Sequence, residues 1–177
     1  MRDTITTERL GLRNWIAEDF EPFHAMNRDQ KVMEFFPKLM TTEDTEAFVL
    51  RMQKHSNAHG FCYFAVEKLE NKEFIGMIGL LHQTFNCKYT PCVDIGWRLK
   101  RSSWGQGFAS EGAKACLNAG FNTFRLKEIY SFAPVINAAS IHIMKKIGMK
   151  YLGEFEHPKL CDYPLLKECT VYKAKNK

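Results

Sequence analysis

The sequence predicts an α/β fold, a sheet flanked by helices, on three observations. Short alternating or apolar runs bounded by polar turns recur along the chain, as strands do. Between them lie segments whose apolar residues return every three or four positions, as helices do. The third observation is the stretch from Val93 to Phe124, VDIGWRLKRSSWGQGFASEGAKACLNAGFNTF, where a strand-like run, a glycine-punctuated turn and an amphipathic helix follow one another directly. A length of 177 residues suits one domain with a substantial core, and residues 1–177 are expected to form one.

In order, TTERLGLRNW alternates as a strand, with Leu10 and Leu12 on one side and Arg9 and Gly11 on the other. Ile16, Phe20, Phe23 and Met26 then recur at helical spacing. Glu18, Asp19 and Glu21 sit near the start of that helix, where negative charge suits its dipole, and it should end by Asp29. MEFFPKLM is apolar and broken by proline, a loop packed against something. TTEDTEAFVLRMQKH reads as a second helix with Thr42 as its N-cap. GFCYFAVEK and EFIGMIGLLH read as a hairpin joined by LENKE, and Gly76 and Gly79 in the second strand would let another backbone come close. After the Val93–Phe124 stretch, KEIYSFAPV is a strand and NAASIHIMKKIG a helix closed by Gly148; MKYLGEF and LLKECTVYKA are two more strands.

Composition narrows the function classes. The net charge of +5 is modest and, apart from the KAKNK tail, the basic residues are scattered. A nucleic-acid binder concentrates its charge on one face or tract, so nucleic acid is not an expected partner. Cys62, Cys87, Cys92, Cys116, Cys161 and Cys169 form no C-x-x-C pair and no apolar leader is present, which suits free thiols in the cytoplasm. No apolar run approaches the roughly 20 residues that span a bilayer, so no membrane association is expected.

The chemistry lies in WGQGFASEGAK. Gly105 and Gly107 permit backbone angles closed to other residues and remove side chains that would block a phosphate. In the helix that follows, Ala113, Cys116, Leu117, Gly120, Phe121 and Phe124 share one face and Glu111, Lys114, Asn118 and Asn122 the other. The packed face aims the positive end of the helix at the turn, a phosphate cradle built from backbone. A P-loop is excluded, because Ala113 stands where its lysine belongs and no hydroxyl follows. The dinucleotide fingerprint fails because Ser110 stands where its third glycine belongs.

WGQGFASEG, preceded by DIGWRLKRSS and followed by NAASIHIMKKIGM, resembles the coenzyme A-binding core of the GNAT superfamily of N-acetyltransferases. ITTERLGLRNWIAEDFEPF at the start resembles the branch of RimJ/RimL-type ribosomal-protein N-terminal acetyltransferases. The resemblance covers nearly the whole chain and implies a mixed, largely antiparallel sheet that splays between the strand ending near Leu99 and the strand beginning near Glu128. Acetyl-CoA fills that gap in the family. Trp104, Gly105, Gln106, Gly107, Phe108 and Ala109 match the pyrophosphate loop; Trp104 replaces the Gln or Arg of many relatives, so a side-chain donor is lost while the backbone donors remain. Ile95, Trp97, Arg98 and Leu99 match the strand beside pantetheine, with the backbone of Trp97 and Leu99 expected to hold it. Asn137 and Ser140 match the second coenzyme-facing segment.

In the family an amine attacks the thioester directly, after losing a proton. At pH 7 that loss costs about 1.0–1.4 kcal/mol for an α-amine and roughly 4.6 kcal/mol for a lysine-like amine, so a weak base is adequate for the first and strained for the second. Asp94 matches the position often assigned to the base, against the alternative of a solvated carboxylate at a strand end. The frequent tyrosine acid falls at Met144, which has no proton to give, leaving Ser140 or water to assist the thiolate. The leading expectation is acetyl transfer to a protein or peptide N-terminus by a monomer or homodimer. The alternatives are a polyamine, amino acid or aminoglycoside acceptor, or a coenzyme A-binding module without turnover.

Other residues carry paired readings. Phe35, Phe36 and Pro37 border the acceptor pocket in relatives, or simply pack. His82 closes a core strand, where it either faces the acceptor or bonds to backbone at the edge. Lys145 and Lys146 meet the coenzyme's 3′-phosphate or are ordinary exposed lysines. His55 and His59 have the i, i+4 spacing of a zinc pair but lack an H-E-x-x-H glutamate and an obvious third ligand, so a solvated helix end and no metal are expected.

Overall fold

The computed structural model describes residues 4–176. Strands β1 (Ile5–Thr6) and β2 (Leu10–Arg13) are followed by helices α1 (Phe20–Asn27) and α2 (Thr42–His59), then by β3 (Tyr63–Lys68), β4 (Phe74–Gln83) and β5 (Cys92–Leu99). Helix α3 (Phe108–Asn122), β6 (Glu128–Pro134), α4 (Ala138–Lys146), β7 (Lys150–Glu156) and β8 (Glu168–Lys175) complete the order. The strands form one sheet in the order β1-β2-β3-β4-β5-β6-β8-β7. Every neighbouring pair is antiparallel except β5 and β6. The mixed, largely antiparallel sheet flanked by helices is therefore as expected.

Two local expectations are corrected. The opening strand is folded back on itself, because the Thr7 hydroxyl accepts from Leu10 N–H at 2.9 Å and Thr7 N–H donates to the Leu10 carbonyl at 2.9 Å. That side-chain bond offers the backbone a turn where alternation alone suggests a continuous strand. The cap of α2 is Thr41, not Thr42: its hydroxyl accepts from Asp44 N–H, and Asp44 accepts in return from Thr41 N–H, each at 3.1 Å. An acidic residue three positions on decides between two adjacent threonines. The helix also runs past QKH to His59, where Gly60 takes a left-handed φ of 81°.

The hairpin of β3 and β4 forms as expected, and at Gly79 the two backbones nearly touch: a Cβ there would stand 2.0 Å from the Cys62 carbonyl. On one face of the sheet Trp15, Phe23, Phe48 and Phe74 make an aromatic cluster that seats α1 and α2. The entry to α1 is pinned by Arg13, which donates to Asp19 at 2.7 and 2.9 Å and to Glu67 at 2.6 Å, all three buried. On the opposite face α3 buries Phe108, Ala113, Cys116 and Leu117, as its periodicity requires.

The feature that positions the site is the parallel step. Only Asp94 and Tyr130 stand in register between β5 and β6, followed by one link from the Ser131 hydroxyl to the Ile95 carbonyl at 3.0 Å. Beyond that link the strands part and leave a wedge between Leu99 and Pro134. Among the described residues, no helix is long and apolar enough to cross a membrane.

Candidate active site

A cleft of about 780 Å³ runs from the loop after α1 and the side of α2, past Tyr63 and Asp94, to Ser131, Asn137, Ser140 and Met144 along the wedge. The predicted phosphate-holding turn before α3 lies beyond the residues that line this cleft. Gly105 and Gly107 have φ of 73° and 82°, a region unfavourable to other residues. Gly107 is the N-cap and has no side chain to accept from the first turn, so the N–H groups of Phe108, Ala109 and Ser110 are left to an outside acceptor.

The Trp104 indole N–H is bonded to the Leu99 carbonyl at 2.9 Å, so it fastens the turn to the end of β5 and is not offered to a phosphate. Gln106 donates to the Ser102 carbonyl at 2.9 Å, while its own carbonyl accepts from Arg9 at 3.0 Å. Arg9 lies 4.4 Å over the Phe108 ring and pairs with Glu111 at 2.5 Å, so the turn between β1 and β2 braces the loop. Sequence reasoning placed Arg9 on a strand face and missed this brace, which spans about a hundred residues.

Within the wedge, alternation directs the backbone groups of Ile95, Trp97 and Leu99 away from β4, as the Ser131–Ile95 bond shows. The Ile95 carbonyl is taken by Ser131 and the Leu99 carbonyl by Trp104. What the strand can offer a ligand is the backbone of Trp97 and the N–H of Leu99. Across the wedge, Asn137 caps α4 by accepting from Ser140 N–H at 3.0 Å, and Ser140 stands one turn before Met144, which is 1% exposed. Lys145 and Lys146 are exposed in the last turn of α4, where positive charge suits the helix end.

Asp94 is not a solvated carboxylate. It is 8% exposed and accepts from the Tyr63 hydroxyl at 2.7 Å, and the Gln83 amide donates to the same hydroxyl at 3.2 Å. Burial pushes the Asp94 carboxyl up to about 7, opposed by the Tyr63 bond. Burial and the facing carboxylate hold Tyr63 well above its usual value, so it remains a proton donor. Tyr63 lay unnoticed in an ordinary strand pattern, because its partner is on another strand.

At the other end of the cleft Arg98 turns towards α1 and the following loop rather than along the wedge. It donates to Asn27 at 2.7 Å and lies 3.9 Å over the Phe36 ring, while its Nε is buried without a partner. Burial draws it down to about 10, which leaves it charged at neutral pH. Phe35, Phe36 and Pro37 line the cleft. His82 lies at its rim, with its imidazole against His55 at 3.0 Å. His55 is also not at a solvated helix end: its Nδ1 bonds the Phe61 carbonyl at 2.7 Å.

The profile of the Acetyltransferase (GNAT) domain matches residues 9–150. The chain belongs to the GNAT acetyltransferase family. As a GNAT protein it is an acetyl-CoA-dependent N-acetyltransferase acting on an amine, and β8, beyond the matched segment, belongs to the same sheet. The uncharacterized N-acetyltransferase YnaD of Bacillus subtilis is 33% identical over 153 residues, covering 86% of this chain and 85% of YnaD. The spermidine N(1)-acetyltransferase of Escherichia coli K12 is 25% identical over 82% of this chain and 75% of its own. Among solved structures, a GNAT-family acetyltransferase from Bacillus anthracis superposes with a TM-score of 0.77 at 27% identity, covering 97% of both chains. RimL, a ribosomal L7/L12 α-N-protein acetyltransferase bound to coenzyme A, superposes at 0.76 with 16% identity over 96% of this chain and 95% of its own, a likeness of fold. The donor set fits the GNAT coenzyme: an uncapped helix start behind two left-handed glycines for pyrophosphate, and a strand edge for the amide arm.

Proposed function

We propose that this GNAT enzyme acetylates a small primary amine that also carries an anionic group such as a carboxylate, with Asp94 as the base. The observation that carries the reading is the pair Asp94 and Arg98 on one strand of one cleft: a carboxyl poised near neutrality, and a half-buried guanidinium with a buried Nε that has no acidic partner among the described residues. An unpaired buried cation costs stability unless a ligand neutralises it. The remaining cations on the cleft, Arg51 and Lys159, reinforce that sign, whereas Lys38 is paired with Asp44 at 2.9 Å. The named acceptor of the spermidine relative supports a small molecule, but this cleft is poorly suited to a polycation.

In this reading acetyl-CoA supplies the thioester. The turn from Trp104 to Ala109 holds its pyrophosphate, Trp97 and Leu99 hold the amide arm, and Asn137 and Ser140 flank it. Arg98 and the Phe36 ring orient the acceptor, Asp94 takes a proton from its ammonium group, and the free amine attacks the thioester carbon. Ser140, one turn from the apolar Met144, gives the departing thiolate a hydroxyl in place of a tyrosine. The second reading is a protein N-terminus, favoured by the RimJ/RimL-like opening segment. The whole chain as one domain, a cytoplasmic location for its thiols and a monomeric or dimeric state complete the proposal.

Thiol release from acetyl-CoA, measured with amino acids, polyamines, an aminoglycoside and short peptides, tests it. Amines bearing a carboxylate should turn over best, and Arg98→Met should raise their KM about 10- to 100-fold, as expected for a charged hydrogen bond, with KM for acetyl-CoA unchanged. Preference for spermidine would sink the assignment, preference for peptides would install the second reading, and tight coenzyme binding without release would make the protein a binding module.

A further inference from the structure

The sequence pairs His55 with His59 one turn apart on α2; the fold adds a third imidazole from a different element. His82, at the end of β4, brings its Nδ1 to 3.0 Å from His55 Nε2, and the ligand nitrogens of all three histidines lie within 4.8 Å of one another. We propose that His55, His59 and His82 form a binding site for a divalent transition-metal ion of the zinc type, with a fourth position open to water.

The bond made by His55 fixes its chemistry. Its Nδ1 contacts the Phe61 carbonyl at 2.7 Å, and a carbonyl only accepts, so the proton is on Nδ1 and the Nε2 lone pair accepts from His82, from its ring Nδ1–H at 3.0 Å and its backbone N–H at 3.3 Å; an ion would take the place of that ring proton. A backbone carbonyl behind a histidine is the arrangement that orients a metal-ligating ring and fixes its tautomer. The His59 ring lies 4.5 Å from each of the other two, tilted by 44° and 54°, and His59 and His82 are both exposed, so solvent and an ion reach the cluster directly.

The dimensions agree with a tetrahedral site. Nitrogens about 2.0–2.1 Å from zinc stand roughly 3.3 Å apart. The His55–His82 pair is already near that spacing, and the wider pairs close by rotation of the exposed His59 ring. Three imidazoles without a carboxylate or thiolate favour zinc, copper or nickel over magnesium or calcium, which take oxygen ligands. The site lies where the end of α2 meets the end of β4, so an ion there ties the helix that carries Arg51 of the cleft to the strand that carries Gln83.

The test is a titration of the full chain with Zn²⁺ alone, by calorimetry and by thermal unfolding, with Co²⁺ absorption as a geometric readout. One ion per chain, a rise in Tm and a tetrahedral Co²⁺ spectrum are expected. His59→Gln and His82→Gln should each weaken binding at least tenfold, and because His59 is exposed its variant remains folded if the His82 variant does not. Cys161→Ser removes an exposed thiol that also attracts zinc and should change nothing. No binding by the wild type, binding that survives both histidine changes, or binding lost with Cys161 would each overturn the site.

Discussion

Replacing Asp94 with asparagine separates what the buried carboxyl does for catalysis from what it costs the fold. Asparagine keeps an oxygen for the Tyr63 hydroxyl, now 2.7 Å away, so the local geometry is retained. The Asp94 carboxyl titrates near 7 in the folded protein and near 4 in an unfolded chain. Between those values the folded state holds a proton that the unfolded chain has released, so stability falls as the pH rises from about 4 to 7 and stays lowered above it. A displacement of about three pK units corresponds to roughly 4 kcal/mol, of which about 3 kcal/mol accrues above pH 5. Urea unfolding should therefore show Asp94→Asn gaining stability over the wild type by about 3 kcal/mol more at pH 8.5 than at pH 5. In kcat/KM the wild type should fall on the acid side of pH 7, where Asp94 can no longer take the ammonium proton. The variant should be about 10²- to 10⁴-fold slower, with its acid limb running on up to the pKa of the acceptor amine. An acid limb that still breaks near 7 would remove Asp94 from the chemistry. A stability difference that does not change with pH would show that burial does not raise the carboxyl.

Three further outcomes follow from neighbouring contacts. Tyr63→Phe removes the hydrogen bond that favours the Asp94 carboxylate, so the acid limb of kcat/KM should move to higher pH, and a shift to lower pH would contradict the assigned direction of that bond. Gly107→Ala forces a side chain into the left-handed region, at a cost of about 1–2 kcal/mol, while its Cβ meets only Arg9 at an ordinary 3.5 Å. Coenzyme A binding followed by calorimetry should weaken while the circular dichroism spectrum stays native. Gly79→Ala places a methyl group 2.0 Å from the Cys62 carbonyl and should unhinge the β3–β4 ladder, leaving little soluble protein; a folded variant of wild-type Tm would show that the strands can part there without loss.

What was legible in the chain was what repeats locally. The buried face of α3, the hairpin across LENKE and the glycines of the phosphate turn each follow from spacing within about fifteen residues, and each is present. What was hidden depends on partners far apart in sequence. Nothing near Tyr63 announces Asp94, nothing near Arg9 announces the Gln106 carbonyl, and His82 is 27 residues from His55. The same holds for Arg13, which joins Asp19 to Glu67 under α1. The Thr41 cap was missed at closer range, where two neighbouring threonines differ only in the residue three positions later.

The parting of β5 from β6 after a single registered pair divides the cleft into two materials. On the proposed reading the coenzyme half is made of peptide groups: a strand edge, a glycine turn and the start of a helix, none of which changes when a side chain does. The acceptor half is made of side chains: Asp94, Arg98, Phe36 and Tyr63. On that reading, a chain built this way can exchange one amine for another by altering a few side chains on β3, β5 and the loop before α2, with its hold on the acyl donor untouched. For engineering, the acceptor wall is the place to make changes, and the backbone of the wedge is the part to leave alone.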